Sequence, residues 1–252
     1  MRIFLLLISL LLTFFSAPNM AVSLTSYRIF LDKNHRSEAF MVFNREQQSE
    51  TCKLSLQDFP FDKAGNMGKK IIGKPPQSSV INLVRFSPRA FVIKPGHSQT
   101  VRFSLRRKAN MASSEYHSYI SIDCGKVKDS KNTTDKISLT PRLVHNVPVI
   151  ARTGDLSAKV SISHAHINKN GKLAFRLNRT GKRSVYGKIE ILNLKSKKVV
   201  NYLQGVSLYT QSAYRDFEFS LPKNSNINNL EVSFIEDKKY GGDLAIYQKL
   251  SR

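Results

Sequence analysis

Two cysteines are the first residues in this chain that could do covalent chemistry, Cys52 in the segment TCKLSL and Cys124 in YISIDC. Both segments read as strands, and in an oxidising compartment two such thiols can bridge. A bridge would close a long loop and stabilise the fold by about 4 kcal/mol through the entropy of the unfolded chain. The alternative is a pair of buried thiols. No Cys-x-x-Cys spacing or third ligand accompanies them, so neither a metal site nor thiol catalysis is expected. His164 and His166 would put two imidazoles on one strand face, again with no third ligand nearby. Acidic residues are few and scattered, and neither a Gly-x-Ser-x-Gly nucleophile motif nor a glycine-rich phosphate loop occurs. The expectation is a protein that binds rather than catalyses, with no cofactor and no metal.

The compartment is written at the N-terminus. Arg2 is followed by an apolar run of thirteen residues, Ile3 to Phe15, interrupted only by Ser9 and Thr13, and then by the small-residue stretch Ser16 to Ala21. That is the plan of a secretory signal. The run is short of the roughly 20 apolar residues a membrane span needs. Cleavage after Ala21 or after Ser23 fits, and residues 1–23 are set aside as the signal. No cysteine near the cleavage region suggests lipidation, and no later segment suggests stable membrane insertion. The net charge is +22, spread evenly: residues 22–152 carry 22 Lys/Arg against 10 Asp/Glu, and residues 153–252 carry 17 against 8. Such a surface favours acidic partners in general. It lacks the compact basic stripe with interleaved aromatics that would point to nucleic acid.

The elements available to position any site are strands. After the signal, helical periodicity is almost absent, and short alternating runs succeed one another: Tyr27–Leu31, Ala39–Phe43, Cys52–Leu56, Val80–Phe86, Phe91–Ile93, Thr100–Leu105, Tyr116–Ile122 and Ile137–Ile150. Then come Lys159–Ile162, Leu173–Leu177, Gly187–Leu192, Val199–Leu203, Val206–Leu208, Asp216–Leu221, Leu230–Ile235 and Leu244–Leu250. About eight strands per half at this spacing predict β-sandwiches. A boundary falls at Arg152-Thr153-Gly154-Asp155. The reading is therefore all-β, with one sandwich over 24–152, a linker at 153–155 and a second sandwich over 156–252. Residues 60–79, with Pro75-Pro76, and 125–136 read as loops. Two sequons, at Asn132 and Asn178, carry little weight, since such matches are frequent by chance.

Four segments carry a longer pattern. Phe86 to Leu105, FSPRAFVIKPGHSQTVRFSL, reads as strand, Pro95-Gly96 turn, strand. Ser26-Tyr27-Arg28-Ile29-Phe30-Leu31-Asp32 is followed by Arg36 to Asn44. Glu115-Tyr116-His117-Ser118-Tyr119-Ile120 precedes the long segment Ile137 to Arg152, ISLTPRLVHNVPVIAR. Leu177 to Gly187 reads LNRTGKRSVYG, with Gly181 and Gly187 suited to positive-φ turn positions. Together they resemble the periplasmic chaperones that assemble pili by the chaperone-usher route, in the branch whose first domain closes on an IPVIVR-like strand. The resemblance extends over nearly all of 26–250 and is weakest in 60–80, 125–136 and after 205.

The resemblance implies two immunoglobulin-like β-sandwiches in an angled, L-shaped arrangement. It implies a periplasmic protein that stabilises pilus or fimbrial subunits, prevents their premature polymerisation and delivers them to an outer-membrane usher. Capture would proceed by strand addition: the subunit lacks a strand, and the closing segment 137–152 is lent to it. One face of that segment carries Ile137, Leu139, Pro141, Leu143, Val147 and Val149, with Leu139, Pro141 and Leu143 the preferred donor residues and Ile137 beside them. Arg28 matches the cleft arginine that holds the subunit's C-terminal carboxylate, for which a guanidinium is well shaped. The lysine that assists it in well-known members corresponds to Pro148 here, so a second anchor must come from elsewhere; Arg102, His117 and Arg152 are the candidates. Self-association of the free chain is left open. The competing reading is a secreted cationic module that binds acidic polymers or lipopolysaccharide. A pilus subunit is disfavoured by two complete sandwiches and the C-terminal apolar strand.

Overall fold

The computed structural model describes residues 22–106, 111–126, 143–223 and 225–251. These form sixteen strands and two single-turn 3-10 helices, Ile227–Asn229 and Lys238–Tyr240. The first nine strands are β1 (Ser23–Leu24), β2 (Ile29–Leu31), β3 (Ser37–Phe43), β4 (Glu50–Gln57), β5 (Val84–Ser87), β6 (Ala90–Ile93), β7 (Ser98–Leu105), β8 (Ser114–Lys126) and β9 (Val144–Thr153). The remaining seven are β10 (Ala158–Ile167), β11 (Leu173–Gly181), β12 (Val185–Asn193), β13 (Lys198–Leu208), β14 (Tyr214–Phe219), β15 (Leu230–Glu236) and β16 (Ala245–Lys249).

Alternation does the folding. In β7, Val101, Phe103 and Leu105 are buried while Arg102 and Ser104 face water; in β11, Leu173, Phe175 and Leu177 are buried in the same way. The inward faces of sheets β1-β3-β7-β5 and β2-β9-β8-β4-β6 close on one core, with Phe40, Phe103 and Phe86 stacked in sequence. Sheets β10-β11-β14 and β13-β12-β15-β16 close on a second, around Phe175, Phe217 and Phe219. The all-β, two-sandwich expectation therefore describes the molecule. Cys52 and Cys124 are directly opposed on β4 and β8 and are joined by a disulfide in the first core.

Several local expectations need correction. The Pro95-Gly96 turn does not make a hairpin. β6 pairs with β4 and β7 with β3 and β5, so the turn carries the chain from one sheet to the other. Each strand buries a face, and the two faces oppose one another across the core. Asn44 holds this corner: its Nδ2 donates to Ile93 O (2.9 Å) and its backbone exchanges hydrogen bonds with Gly96 and His97. The segment 177–187 is a second such corner, linking β11 to β12 in the opposite sheet. Gly181 has φ +99°, but Gly187 lies within β12, where a Cβ would come within 2.1 Å of Ile235 O; its role is close backbone approach. The runs 199–203 and 206–208 are a single strand with irregular register against β12.

At the boundaries, Val22 packs in the first core and Ser23 pairs with Phe43, so a signal ending at 23 would cut β1. Thr153, assigned to the linker, is buried at the end of β9, where its Oγ1 donates to Ala112 O (2.7 Å). The stretch 60–79, read as loop, is tied down at both ends. Ser118 Oγ donates to Asp58 Oδ1 (2.5 Å) and lies 3.1 Å from Ser79 Oγ. At its tip, Lys63 O accepts from the backbone N–H groups of Ala213 and Tyr214 in the second sandwich (2.9 and 3.0 Å).

Candidate functional site

The two sandwiches meet around a small apolar cluster of their own: Phe30, Tyr119 and Ile150 from the first, Tyr209 from the second, with Phe59, Phe61 and Tyr240 packed around them. β2 delivers Arg28 to this junction, because it runs parallel to β9 with Ile29 opposite Val149. Arg28 is 1% exposed. Its guanidinium lies 4.3 Å from the Tyr186 ring and 5.8–5.9 Å from those of Tyr240 and Tyr209. Among the described residues its guanidinium makes one long hydrogen bond, Nη1 to Ser207 Oγ at 3.4 Å, and its Nε has no partner. Among the described residues it has no acidic partner.

That is an unusual state for a buried cation, and the molecule's other buried arginines show the contrast. Arg152 donates to Glu115 Oε2 (2.8 Å), Gly241 O (2.8 Å) and Ser184 O (3.0 Å). Arg183 makes a two-pronged pair with Glu236 (2.6 and 2.9 Å). Arg179 is surrounded by the carbonyl oxygens of Ser212, Gly181, Arg183 and Thr210. A buried ion is stable when it is paired and hydrogen-bonded; Arg28 alone is held by tyrosine faces, which orient a guanidinium without neutralising it.

The other expected anchors stand differently. His117, on β8, is brought beside Arg28. Its ring stacks on Tyr209 with centroids 3.9 Å apart, and its Nε2 is buried without a partner. Burial, reinforced by the Arg28 charge, lowers its pKa to about 3, so at neutral pH it is an uncharged imidazole. Arg152 reaches the junction but is committed to Glu115 and two carbonyls; burial holds its pKa below the ordinary value even against the pull of Glu115. Arg102 is exposed on β7 in the opposite sheet, paired across to Ala39 and Ser87, away from the junction. Leu143 is 56% exposed just ahead of β9, while Val147 and Val149 on the same face are buried. Ile137, Leu139 and Pro141 lie outside the described residues. β2 covers β9 only at 149–151, so the edge of 144–148 opposite β8 has no strand beside it among the described residues.

Sequence reasoning missed the tyrosines. Tyr119, Tyr186, Tyr209 and Tyr240 are scattered over more than a hundred residues, and no local pattern joins them. The Glu115–Arg152 pair had a signal, since the two are opposite residues of adjacent strands. His164 sits at an irregularity in β10 with φ 55°, its Nδ1 against Ser163 Oγ, and its neighbour His166 turns Nδ1 to the His164 carbonyl.

No family model matches this chain, and no curated protein matches it. Solved structures do. The YadV chaperone superposes with a TM-score of 0.52 at 11% identity, covering 92% of this chain and all of its own. The Escherichia coli chaperone DraB superposes with a TM-score of 0.51 at 13% identity, covering 92% of this chain and 97% of its own. The chain has the fold of the two-domain pilus chaperones. At these identities the fold is shared while most side chains differ, so the chemistry must be argued from this chain's own junction.

Proposed function

We propose that this chain is a periplasmic chaperone that captures pilus or fimbrial subunits and hands them to an outer-membrane usher. The observation that carries the proposal is Arg28: a fully buried guanidinium at the junction of two sandwiches, held by tyrosine rings and without an anionic partner among the described residues. A chain-terminal carboxylate supplies the missing charge and fits the fork of donors. Its binding fixes the register of a strand laid along the uncovered edge of β9. From Val147 and Val149 inward, that face belongs to the chaperone's own core. Leu143, just ahead of β9, is exposed, and in a strand lent to a subunit the alternation of the sequence would put Pro141, Leu139 and Ile137 on the same side as Leu143. The lent strand thus continues a hydrophobic face into a partner that lacks one, while backbone bonds provide sequence-tolerant affinity. The signal is removed after Ala21, which leaves β1 intact.

Co-expression in a periplasm with the pilin-like product of a neighbouring gene, read by size-exclusion and mass, tests this. A one-to-one complex that is lost with Arg28→Ala and with Leu143→Glu is expected. Capture by Arg28→Ala at the wild-type level would remove the anchor. A subunit that stays soluble and monomeric without this chain, with no complex formed, would remove the chaperone role altogether.

A further inference from the structure

A carboxylate has more acceptor sites than one guanidinium fills in a two-pronged pair, and the cations nearby are engaged elsewhere: Arg152 is committed to Glu115 and two carbonyls, His117 is neutral, Arg102 is in the other sheet, and Arg215 is exposed and lies over the Phe217 ring. We infer that the second donor to the bound carboxylate is a set of neutral hydroxyls from the second sandwich, Tyr209 and Ser207. This rests on the reading of Arg28 as the carboxylate anchor and names the groups that complete it.

Next to Arg28 is a cavity of about 500 Å³ whose walls include Phe61, Tyr119, Ser207, Tyr209, Ser212 and Arg215. Ser207 and Tyr209 belong both to this wall and to the surroundings of Arg28. The hydroxyl hydrogens can be accounted for. Ser207 Oγ accepts from Arg28 and gives its own hydrogen to no group among the described residues. Tyr119 and Tyr209 share a single hydrogen bond, Oη to Oη at 3.2 Å. Two hydroxyls joined by one bond leave one hydrogen over, whichever way the bond points. Burial raises the pKa of Tyr119, so that hydroxyl keeps its proton. Ser212 Oγ, in the same wall, is buried with no partner at all, as is Arg28 Nε. The wall of the cavity therefore carries unspent hydroxyl donors, two of them, Ser207 and Tyr209, on residues that also neighbour Arg28.

The charge balance favours this arrangement. One carboxylate on one guanidinium makes a neutral buried pair. A second buried cation would have to be desolvated with no anion of its own. Hydroxyls add hydrogen bonds to a charged acceptor without adding charge, and such bonds are stronger than those between neutral groups.

The test uses the whole mature chain and N-acetyl-L-phenylalanine, with its amide as the control, followed through the Arg28 Nε–H resonance and by titration. The acid should bind and move that resonance, and the amide should not. Tyr209→Phe keeps the ring that packs on His117 and Phe61 but removes the partner of the Tyr119 hydroxyl, so its melting temperature should fall modestly and, where the variant is folded, its affinity for the acid should fall about tenfold. Ser207→Ala should weaken binding in the same direction, and Arg28→Met should abolish it. Wild-type affinity in both hydroxyl variants, with binding still lost in Arg28→Met, would overturn the hydroxyl donors and leave the Arg28 anchor standing. Equal binding of acid and amide by the wild-type chain, or binding undiminished in Arg28→Met, would overturn both.

Discussion

Arg152 and Arg28 enter the same junction from adjacent strands, and the protein treats them in opposite ways. Arg152 is fully engaged by its neighbours. Each of its three nitrogens donates, to Glu115, Gly241 and Ser184, and Glu115 Oε1 in turn accepts from Ser184 N (2.9 Å). Two residues of the first sandwich are thereby fastened to the backbone of the second. Gly241 is part of the fit, since a Cβ there would come within 2.4 Å of the Phe30 ring. Arg28, a short distance away, has one long hydrogen bond and a ring of tyrosines. The difference separates a structural ion pair from a receptive one. Where both charges are supplied internally, the fold gains a fixed junction. Where only one is supplied, the fold carries a cost that a ligand relieves.

Breaking the saturated region should have the largest effect. Glu115→Ala leaves Arg152 buried with carbonyl partners only, and is expected to cost about 3–5 kcal/mol of unfolding free energy in urea titrations. A loss below about 1 kcal/mol would mean that the junction does not depend on that pair.

The receptive region should reveal itself through pH. The His117 ring in the native state takes up a proton only near pH 3, whereas in the unfolded chain it does so at about 6.5. Above pH 6.5 neither state holds the proton and the residue contributes no slope. Below it the unfolded state binds a proton that the native state refuses, so stability should fall by about 1.4 kcal/mol per pH unit as the medium is acidified toward pH 3. His117→Asn should flatten that part of the profile. An unchanged slope would mean that the ring is protonated in the native protein, and a second charged anchor would return to consideration.

Arg28 itself should give the smallest effect on stability and of the opposite sign to Glu115. Removing a buried charge that has no counter-ion, as in Arg28→Met, is expected to leave the urea midpoint unchanged or raise stability by about 1 kcal/mol, even as subunit capture is lost. A loss of several kcal/mol would show that the tyrosine ring is a structural clamp and that the two arginines are alike.

The sequence alone determined the class of the fold, because period-two alternation forces each run to bury one face, and sixteen such runs can satisfy that requirement only by pairing sheets. It also placed the disulfide partners in strands and pointed to Arg28. Its reading of corners was wrong for a physical reason. A strand-turn-strand pattern is the same whether the second strand hydrogen-bonds to the first or crosses to the facing sheet, and only the packing of the opposed faces distinguishes them. The extent of the 58–83 strap was hidden for a similar reason, since its anchors, Asp58 to Ser118 and Lys63 to Ala213, are contacts between distant segments. The receptive state of Arg28 belongs to tertiary structure entirely. A guanidinium is the same in any sequence; what makes this one the proposed anchor is that no acid lies beside it among the described residues, and that Tyr186, Tyr209, Tyr240 and Ser207 are brought around it from elsewhere in the chain by the closing of the two sandwiches.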